Sequence, residues 1–412
     1  MSDTERLCRS CGAGGLTTVL SLGTTPLANS LVRHDEPAEQ EPRYPLELAF
    51  CRACTLVQIT ETIPPEELFR DYPYFTSVSD AMLQHARALA EETIERRSLS
   101  STSFVVEAAS NDGYLLQYYV QRGIRVLGIE PALNVARVAE ERGVPTLTEF
   151  FDTAVARQVV AGHGGAQVFH AHNVLAHVPD LNGFVEGIAV LLEEDGIAVI
   201  EVPYVKDMID GCEFDTIYHE HLCYFSLTAL RQLFARHGLE VADVGRVPVH
   251  GGSLRLHVAP AASAVPSPAV GALLVEESEW GVGDLAVYLG FAERVGALKE
   301  ALVGLLHGLK SEGKRIAAYG AAAKGSTLLN VFGIGAETLD FVVDRSSVKQ
   351  GLLMPGVRLP IVPPEKLVEE MPDYLLLLAW NWADEIMAQQ DAYSRRGGKF
   401  IVPLPRPEVI SA

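Results

Sequence analysis

Phe104-Val105-Val106-Glu107-Ala108-Ala109-Ser110-Asn111-Asp112-Gly113 is the stretch whose reading decides the fold. An apolar run ends in an acid, then passes through small and polar residues to a glycine, with a helix expected from about Tyr114. A second apolar run, Val126-Leu127-Gly128-Ile129, ends at Glu130, 17 residues past Gly113. Strand, small-residue turn, helix, strand, acid is the opening of a nucleotide-binding α/β domain. The tight turn admits a ligand close to the backbone, and the second acid accepts ribose hydroxyls.

The turn also selects among ligands. G-x-G-x-x-G is absent, and Glu107 places negative charge where a pyrophosphate would sit. A ligand with a cationic sulfonium and ammonium suits an acidic turn better, so S-adenosylmethionine is expected rather than NAD. Downstream, Val168-Phe169 ends a fourth strand and leads through Asn173, Val174 and Leu175 to His177. Ile197–Val202 reads as a fifth strand. Leu239–Val247 and Ser253–Val258 read as a closing antiparallel hairpin. Upstream, residues 67–100 read as helical, with Met82, His85, Ala86, Leu89 and Ala90 at helical spacing.

Working outward to the start of the chain, four of the six cysteines form two pairs, Cys8-x2-Cys11 and Cys51-x2-Cys54. Each pair sets two thiolates on one turn, and two such turns supply the four sulfurs zinc prefers. Four sulfurs leave no open position, so the zinc is expected to be structural. Unrelated buried thiols are the alternative. Cys212 and Cys223 are isolated and read as buried residues.

Towards the end, Leu285–Leu309 carries apolar residues at helical spacing. Arg315–Tyr319 reads as a strand, followed by Gly320-Ala321-Ala322-Ala323-Lys324-Gly325-Ser326 and a helix. Phe341–Asp344 and Tyr374–Ala379 read as further buried strands. A second α/β domain is expected, with Lys324 and Ser326 facing a diphosphate at the helix N-terminus. A surface lysine on a structural domain is the alternative, and the order of a P-loop is not met.

The 412 residues suit two or three domains. We expect an N-terminal zinc-binding domain over 1–66, a class I Rossmann-like methyltransferase domain over 67–262, and a C-terminal α/β substrate-binding domain over 263–412. A formal net charge of −20 argues against nucleic acid or an anionic membrane as partner. Without an apolar h-region at the start or a run of membrane-spanning length, a cytoplasmic location is expected.

Asp215-Thr216-Ile217-Tyr218-His219-Glu220-His221 follows the fifth strand, where open α/β sheets bind ligands. It is a candidate acid/base cluster, and His177 is placed to face the same cleft. A purely structural role for any one of these histidines is the alternative. His219 and His221 also suit a metal, but H-E-x-x-H is absent.

With these residues in view, the chain resembles the sugar C-methyltransferase family, typified by C-3′-methyltransferases acting on dTDP-4-keto-deoxysugars in antibiotic pathways. The marks are the two cysteine pairs, Tyr72-Pro73-Tyr74, Glu107 to Gly113, His177, Tyr218 to His221, His250-Gly251-Gly252, and Tyr319 to Lys324. The resemblance implies that Cys8, Cys11, Cys51 and Cys54 hold structural zinc. It implies that Glu107, Ala109, Asn111, Gly113, Glu130, Asn173, Val174 and Leu175 surround S-adenosylmethionine. It makes His221 the general base, with Tyr72, His177, Tyr218 and Glu220 around the reacting sugar, His177 as an enolate-stabilising donor, and Tyr74, His250, Lys324 and Ser326 on the substrate. The family's cofactor turn usually has glycine where this chain has Ala109, an added methyl at a close approach.

The expected reaction removes the acidic C3 proton beside the 4-keto group and passes a methyl to the enolate carbon. Two rivals stand beside it. One is an NAD(P)H-linked ketoreductase, or a bifunctional enzyme, on the same nucleotide-sugar class. The other is a non-catalytic zinc-bearing scaffold.

Overall fold

The computed structural model describes residues 6–69, 75–248 and 251–411. Tyr72, Tyr74 and His250 lie outside the described residues.

The N-terminal segment is built on two knuckles. Gly12 N–H donates to Cys8 O at 2.9 Å, and Thr55 N–H donates to Cys51 O at 2.8 Å. Gly12 at φ +71° and Thr55 at φ +61° close these turns in the left-handed region. Between them, strands Thr17–Pro26, Arg43–Phe50 and Val57–Ile59 form an antiparallel sheet. Its fourth strand, Cys223–Tyr224, comes from far along the chain and pairs with Val57–Gln58. The zinc-bearing sheet is therefore completed by residues next to His221.

The central sheet has seven strands. Phe104–Ala108 is buried at every position and lies between Arg125–Ile129 and Ala166–His172. Taken in chain order, its strands are arranged 3-2-1-4-5-7-6, with the last, Ser253–Pro260, inserted antiparallel beside Leu192–Pro203. The order reverses between Phe104–Ala108 and Ala166–His172, and the carboxyl ends of those strands open the ligand crevice. Both faces are covered, which is why these strands read as apolar runs rather than as alternation.

The helical reading of 67–100 is too long. The helix runs Asp80–Arg97, because Ser79 caps it by accepting from Met82 N–H, and Ser98 ends it in the left-handed region. Before it stand a short helix, Pro65–Phe69, and a turn at Thr76–Val78.

The C-terminal sheet has six strands, in chain order 3-2-1-4-5-6, built outward from Ile316–Tyr319 and Tyr374–Leu377. Its own reversal falls between those two strands. Gly320 turns there at φ +100°, and a Cβ on it would come 2.8 Å from Ala379 Cβ. The helix Leu285–Ser311 precedes this sheet, its buried face including Tyr288, Phe291 and Leu302.

Candidate active site

The two reversal crevices open on one cavity of about 720 Å³, in the upper part of the range for small-molecule sites. The central domain contributes Ala109, Asn111, Glu130, Asn173, Val174, His177, Tyr218 and His221 to its wall. The C-terminal domain contributes Lys324, Lys349 and Trp382, and the N-terminal segment contributes Asn29.

At the cofactor end, Glu130 terminates its strand with one oxygen accepting from Asn111 N–H at 2.9 Å and the other from Ala132 N–H at 2.8 Å. A carboxylate has about four acceptor positions, so capacity for ribose hydroxyls remains. Burial raises its pKa above the ordinary value, against these two backbone bonds. Ala109 and Asn111 both sit at positive φ, +52° and +49°. Asn111 Oδ1 accepts from Thr76 N–H at 2.8 Å, tying the segment before the long helix to the turn. Asn173, at φ +53°, has a buried Oδ1 without a hydrogen-bond partner among the described residues.

Not every expected cofactor residue reaches the wall. Glu107 is fully buried behind it, and burial together with the charge of Glu130 drives its pKa well up, against the neighbouring Tyr114 hydroxyl. A buried acid of this kind, together with the orphaned Asn173 acceptor, suits a cationic ligand. Gly113 is off the wall and is required by packing: at φ +76°, its Cβ would lie 2.9 Å from Val144 Cγ2. Leu175 is fully buried in the core.

At the other end, His221 Nδ1 lies 2.8 Å from Thr216 O, and His177 Nδ1 lies 2.6 Å from Glu220 O. A carbonyl only accepts, so each Nδ1 carries a proton, and when the ring is neutral its Nε2 is an acceptor. Burial lowers His177 to about 4, which keeps it neutral near pH 7. The two rings meet edge to face with centroids 4.9 Å apart. Tyr218 OH is 2.9 Å from His221 Nε2 and donates to it when the ring is neutral. His219 turns away, its Nε2 3.1 Å from Pro45 O in the first sheet.

Glu220 is buried off the wall and accepts from Asn29 Nδ2 at 2.7 Å. Burial pushes its pKa up to about 7. Ser326 is likewise off the wall: it lies one turn into the helix Ala323–Phe332, buried, with its carbonyl accepting from Asn330.

Lys324 does reach the cavity. Its Nζ stands 4.6 Å from the centre of the Trp380 ring, and Trp380 Nε1–H donates to Asp215 Oδ2 at 2.7 Å. The Nζ has no hydrogen-bond partner among the described residues. Burial raises Asp215 to about 6 and Glu213 to about 8, with the Lys324 charge opposing in both. In the same domain Asp344 repeats the Glu130 arrangement: its oxygens accept from Ala321 N–H and Ser346 N–H, each at 2.8 Å. Asn29, Trp380 and Asp344 were not singled out by sequence, and Asp215 entered only as the first residue of the acid/base cluster. Only Asp344, an acid at a strand end, carried a signal there.

The four paired thiols fit zinc. Their sulfurs all lie within 4.8 Å of one another, with Cys8–Cys54 at 3.5 Å and Cys11–Cys51 at 3.6 Å. A tetrahedron with Zn–S bonds of about 2.3 Å has edges near 3.8 Å. This is the one such group among the described residues.

Fold and site define an S-adenosylmethionine-dependent methyltransferase with a zinc-binding N-terminal domain. Residues 8–69 match a zinc binding domain model, 82–244 a methyltransferase domain model, and 248–405 the C-methyltransferase C-terminal domain model. The chain is 41% identical over 406 residues to C-methyltransferase NovU of Streptomyces niveus, covering 98% of this chain and 97% of that protein. It belongs to this family of C-methyltransferases. Solved structures with local similarity include magnesium protoporphyrin IX methyltransferase of Synechocystis with bound S-adenosylmethionine, at 14% identity and TM-score 0.32, covering 43% of this chain and 81% of that one. Another is the Haloferax volcanii complex of the Trm112 methyltransferase activator with a methyltransferase, at 16% and 0.34, covering 44% and 95%.

Proposed function

We propose that the protein transfers a methyl group to C3 of a nucleotide-linked 4-keto-6-deoxysugar, with dTDP as the carrier, through a base-generated enolate. The observation that carries this is His221 on the wall of the cavity that Lys324 also lines, its Nδ1 tied to the Thr216 carbonyl and its Nε2 left as the acceptor. Carbon is a poor nucleophile until its proton is gone, and a carbonyl makes the neighbouring C–H acidic. A neutral imidazole with its other nitrogen tied down is suited to take that proton.

S-adenosylmethionine, when bound, supplies an electrophilic methyl group on a sulfonium. Glu130, Asn111 and Asn173 would hold it, with Glu107 buried behind the wall, where a cationic ligand would oppose the burial that keeps this acid protonated. On the sugar side, substrate displaces the Tyr218 hydroxyl from His221 Nε2. The freed O–H then donates to the 4-oxo oxygen as negative charge develops there. Tyr72 and Tyr74 are proposed beside it, with His250 near the substrate. His177 accepts a hydrogen bond from a sugar hydroxyl. The C-terminal domain closes over the nucleotide, with the unpaired Lys324 ammonium on the diphosphate.

No described helix is long and apolar enough to cross a membrane. We place the enzyme in the cytoplasm, with neither nucleic acid nor membrane as partner. The experiment is product analysis by mass spectrometry and NMR after incubation with S-adenosylmethionine and a panel of dTDP-4-keto sugars. One added methyl on C3 is expected. Methylation at another atom, or none across the panel, overturns the reading.

One observation favours a second reading. The 3-2-1-4-5-6 strand order and the Asp344 arrangement suit a dinucleotide as well as a sugar nucleotide. Oxidation of NADPH dependent on a 4-keto sugar nucleotide would establish a ketoreductase.

A further inference from the structure

Asn29 and Glu220 are 191 residues apart in the chain and joined by a hydrogen bond, Asn29 Nδ2 to Glu220 Oε1, at 2.7 Å. Asn29 lies in the turn after Thr17–Pro26, the first strand of the zinc-bearing sheet. That turn is held by Ser30 N–H on Leu27 O and Leu31 N–H on Asn29 O, with Leu27 and Ala28 buried beneath it. Asn29 also lines the cavity in company with His177, Tyr218 and His221.

Glu220 is 5% exposed, and no ion pair involves it among the described residues. Its own backbone carbonyl orients His177. A buried carboxylate without a cation is costly unless neutral donors hold it, and a side-chain amide is a donor that never titrates.

We propose that Asn29 is a positioning residue of the active site: its carboxamide keeps the Glu220 carboxylate ionised and oriented, so the zinc-bearing segment contributes a side chain to the reaction. The functional half of this rests on the methyl-transfer reading above. The hydrogen-bonding half does not.

The direction of the effect follows from the geometry. Burial raises Glu220 to about 7, and Asn29 opposes it. Losing the amide removes the opposing bond, so Glu220 holds its proton to higher pH. The titratable neighbours are His177, whose Nδ1–H binds the Glu220 carbonyl, and Tyr218, His219 and His221 in the same turn. His219 and His221 spend a ring nitrogen on Pro45 O and Thr216 O.

The test titrates Glu220 by NMR in full-length, zinc-loaded protein with 13C-carboxyl-labelled glutamate, its signal assigned by its loss in Glu220→Gln. In Asn29→Leu the midpoint is expected to rise by about one unit or more, with zinc content and S-adenosylmethionine affinity kept. Methyl transfer at pH 7 is expected to fall about tenfold or more, and to recover in part at higher pH. In the Glu220→Gln background, Asn29→Leu adds no further loss. An unmoved midpoint in folded, zinc-loaded Asn29→Leu overturns the proposal. If that variant does not fold, Asn29→Ser, smaller and with a weaker donor, decides by the same midpoint. If the parent methylates no sugar nucleotide, the functional reading fails while the titration still decides the role of Asn29.

Discussion

His221 Nδ1 lies 2.8 Å from the carbonyl oxygen of Thr216, five residues earlier in the chain. That contact selects the tautomer in which Nε2 is the acceptor, and so makes His221 the candidate base. His221→Asn is expected to lower turnover by about 10²–10⁴-fold while calorimetry finds unchanged S-adenosylmethionine affinity. In deuterated water with S-adenosylhomocysteine bound, the parent exchanges the substrate C3 proton and the variant does so far more slowly. A near-parental rate moves the base to His177 or Tyr72.

Glu130 holds the turn through Asn111 N–H, and we propose that it also binds the ribose. Glu130→Ala is expected to weaken S-adenosylmethionine binding by about 1–3 kcal/mol. Glu130→Gln keeps an acceptor oxygen and should lose less. Equal affinity for parent and Glu130→Ala by calorimetry would refute the ribose placement.

Ala109 occupies the left-handed region on the cavity wall at φ +52°. A non-glycine residue there costs about 1–2 kcal/mol, partly offset because glycine gains about 0.4–1 kcal/mol of entropy in the unfolded chain. Ala109→Gly is expected to raise the melting temperature slightly and to leave cofactor affinity equal or improved. A clear fall in melting temperature would show that the methyl is packed to advantage.

Zinc is expected at about one ion per chain by elemental analysis. Cys8→Ser should lose it and melt earlier by about 5–15 °C, since binding energy at a structural site is folding energy. The sheet it staples ends in Cys223–Tyr224. Damage should therefore reach the His221 turn, and the surviving folded fraction should methylate more slowly than the parent. Purified parent protein free of zinc would sink the assignment.

The buried acids should make stability fall as pH rises, while buried His177, held at about 4, acts the other way below its ordinary value. Burial raises Glu213 from 4.5 to about 8, so the folded state keeps a proton that the unfolded chain releases. A group raised in this way contributes its full stability below the unfolded value and loses it as pH climbs through the folded one. Asp215 and Glu220, raised to about 6 and about 7, act in the same direction. Between pH 5 and 9 the stability of the parent should drop relative to that of Glu213→Gln by about 1–3 kcal/mol. Parallel profiles for the two proteins would show that Glu213 is not the group responsible.

Much of the fold was legible because its signals are local. The strand ending in Glu107, the acid at Glu130 and the paired cysteines each lie within a few residues or one strand–helix–strand unit. Apolar runs covered on both faces announced the central strands, and the hairpin after Leu239 was bounded by its own turn residues. Helix limits before Asp80 were misjudged because the deciding residue was a cap, Ser79, within a run that kept helical spacing.

The site was only half legible. Motif order put Tyr218, Glu220 and His221 at a strand end, but not which nitrogen of each histidine is tied to a carbonyl. It gave no sign that Val144 crowds Gly113. It placed Ser326 with Lys324, when a helix turn buries one and exposes the other to the cavity.

By itself the sequence determined the elements: two zinc knuckles, two α/β sheets, an acidic cofactor turn and a cluster of titratable residues after the fifth strand. Backbone sterics and burial periodicity act over a few residues and leave their mark in composition. Only the tertiary structure decided that both crevices open on one cavity, that Trp380 links Lys324 to Asp215, and that Asn29 reaches Glu220. Those contacts join residues up to 191 positions apart. They depend on how whole sheets pack, and packing leaves no periodic trace at either end of such a contact.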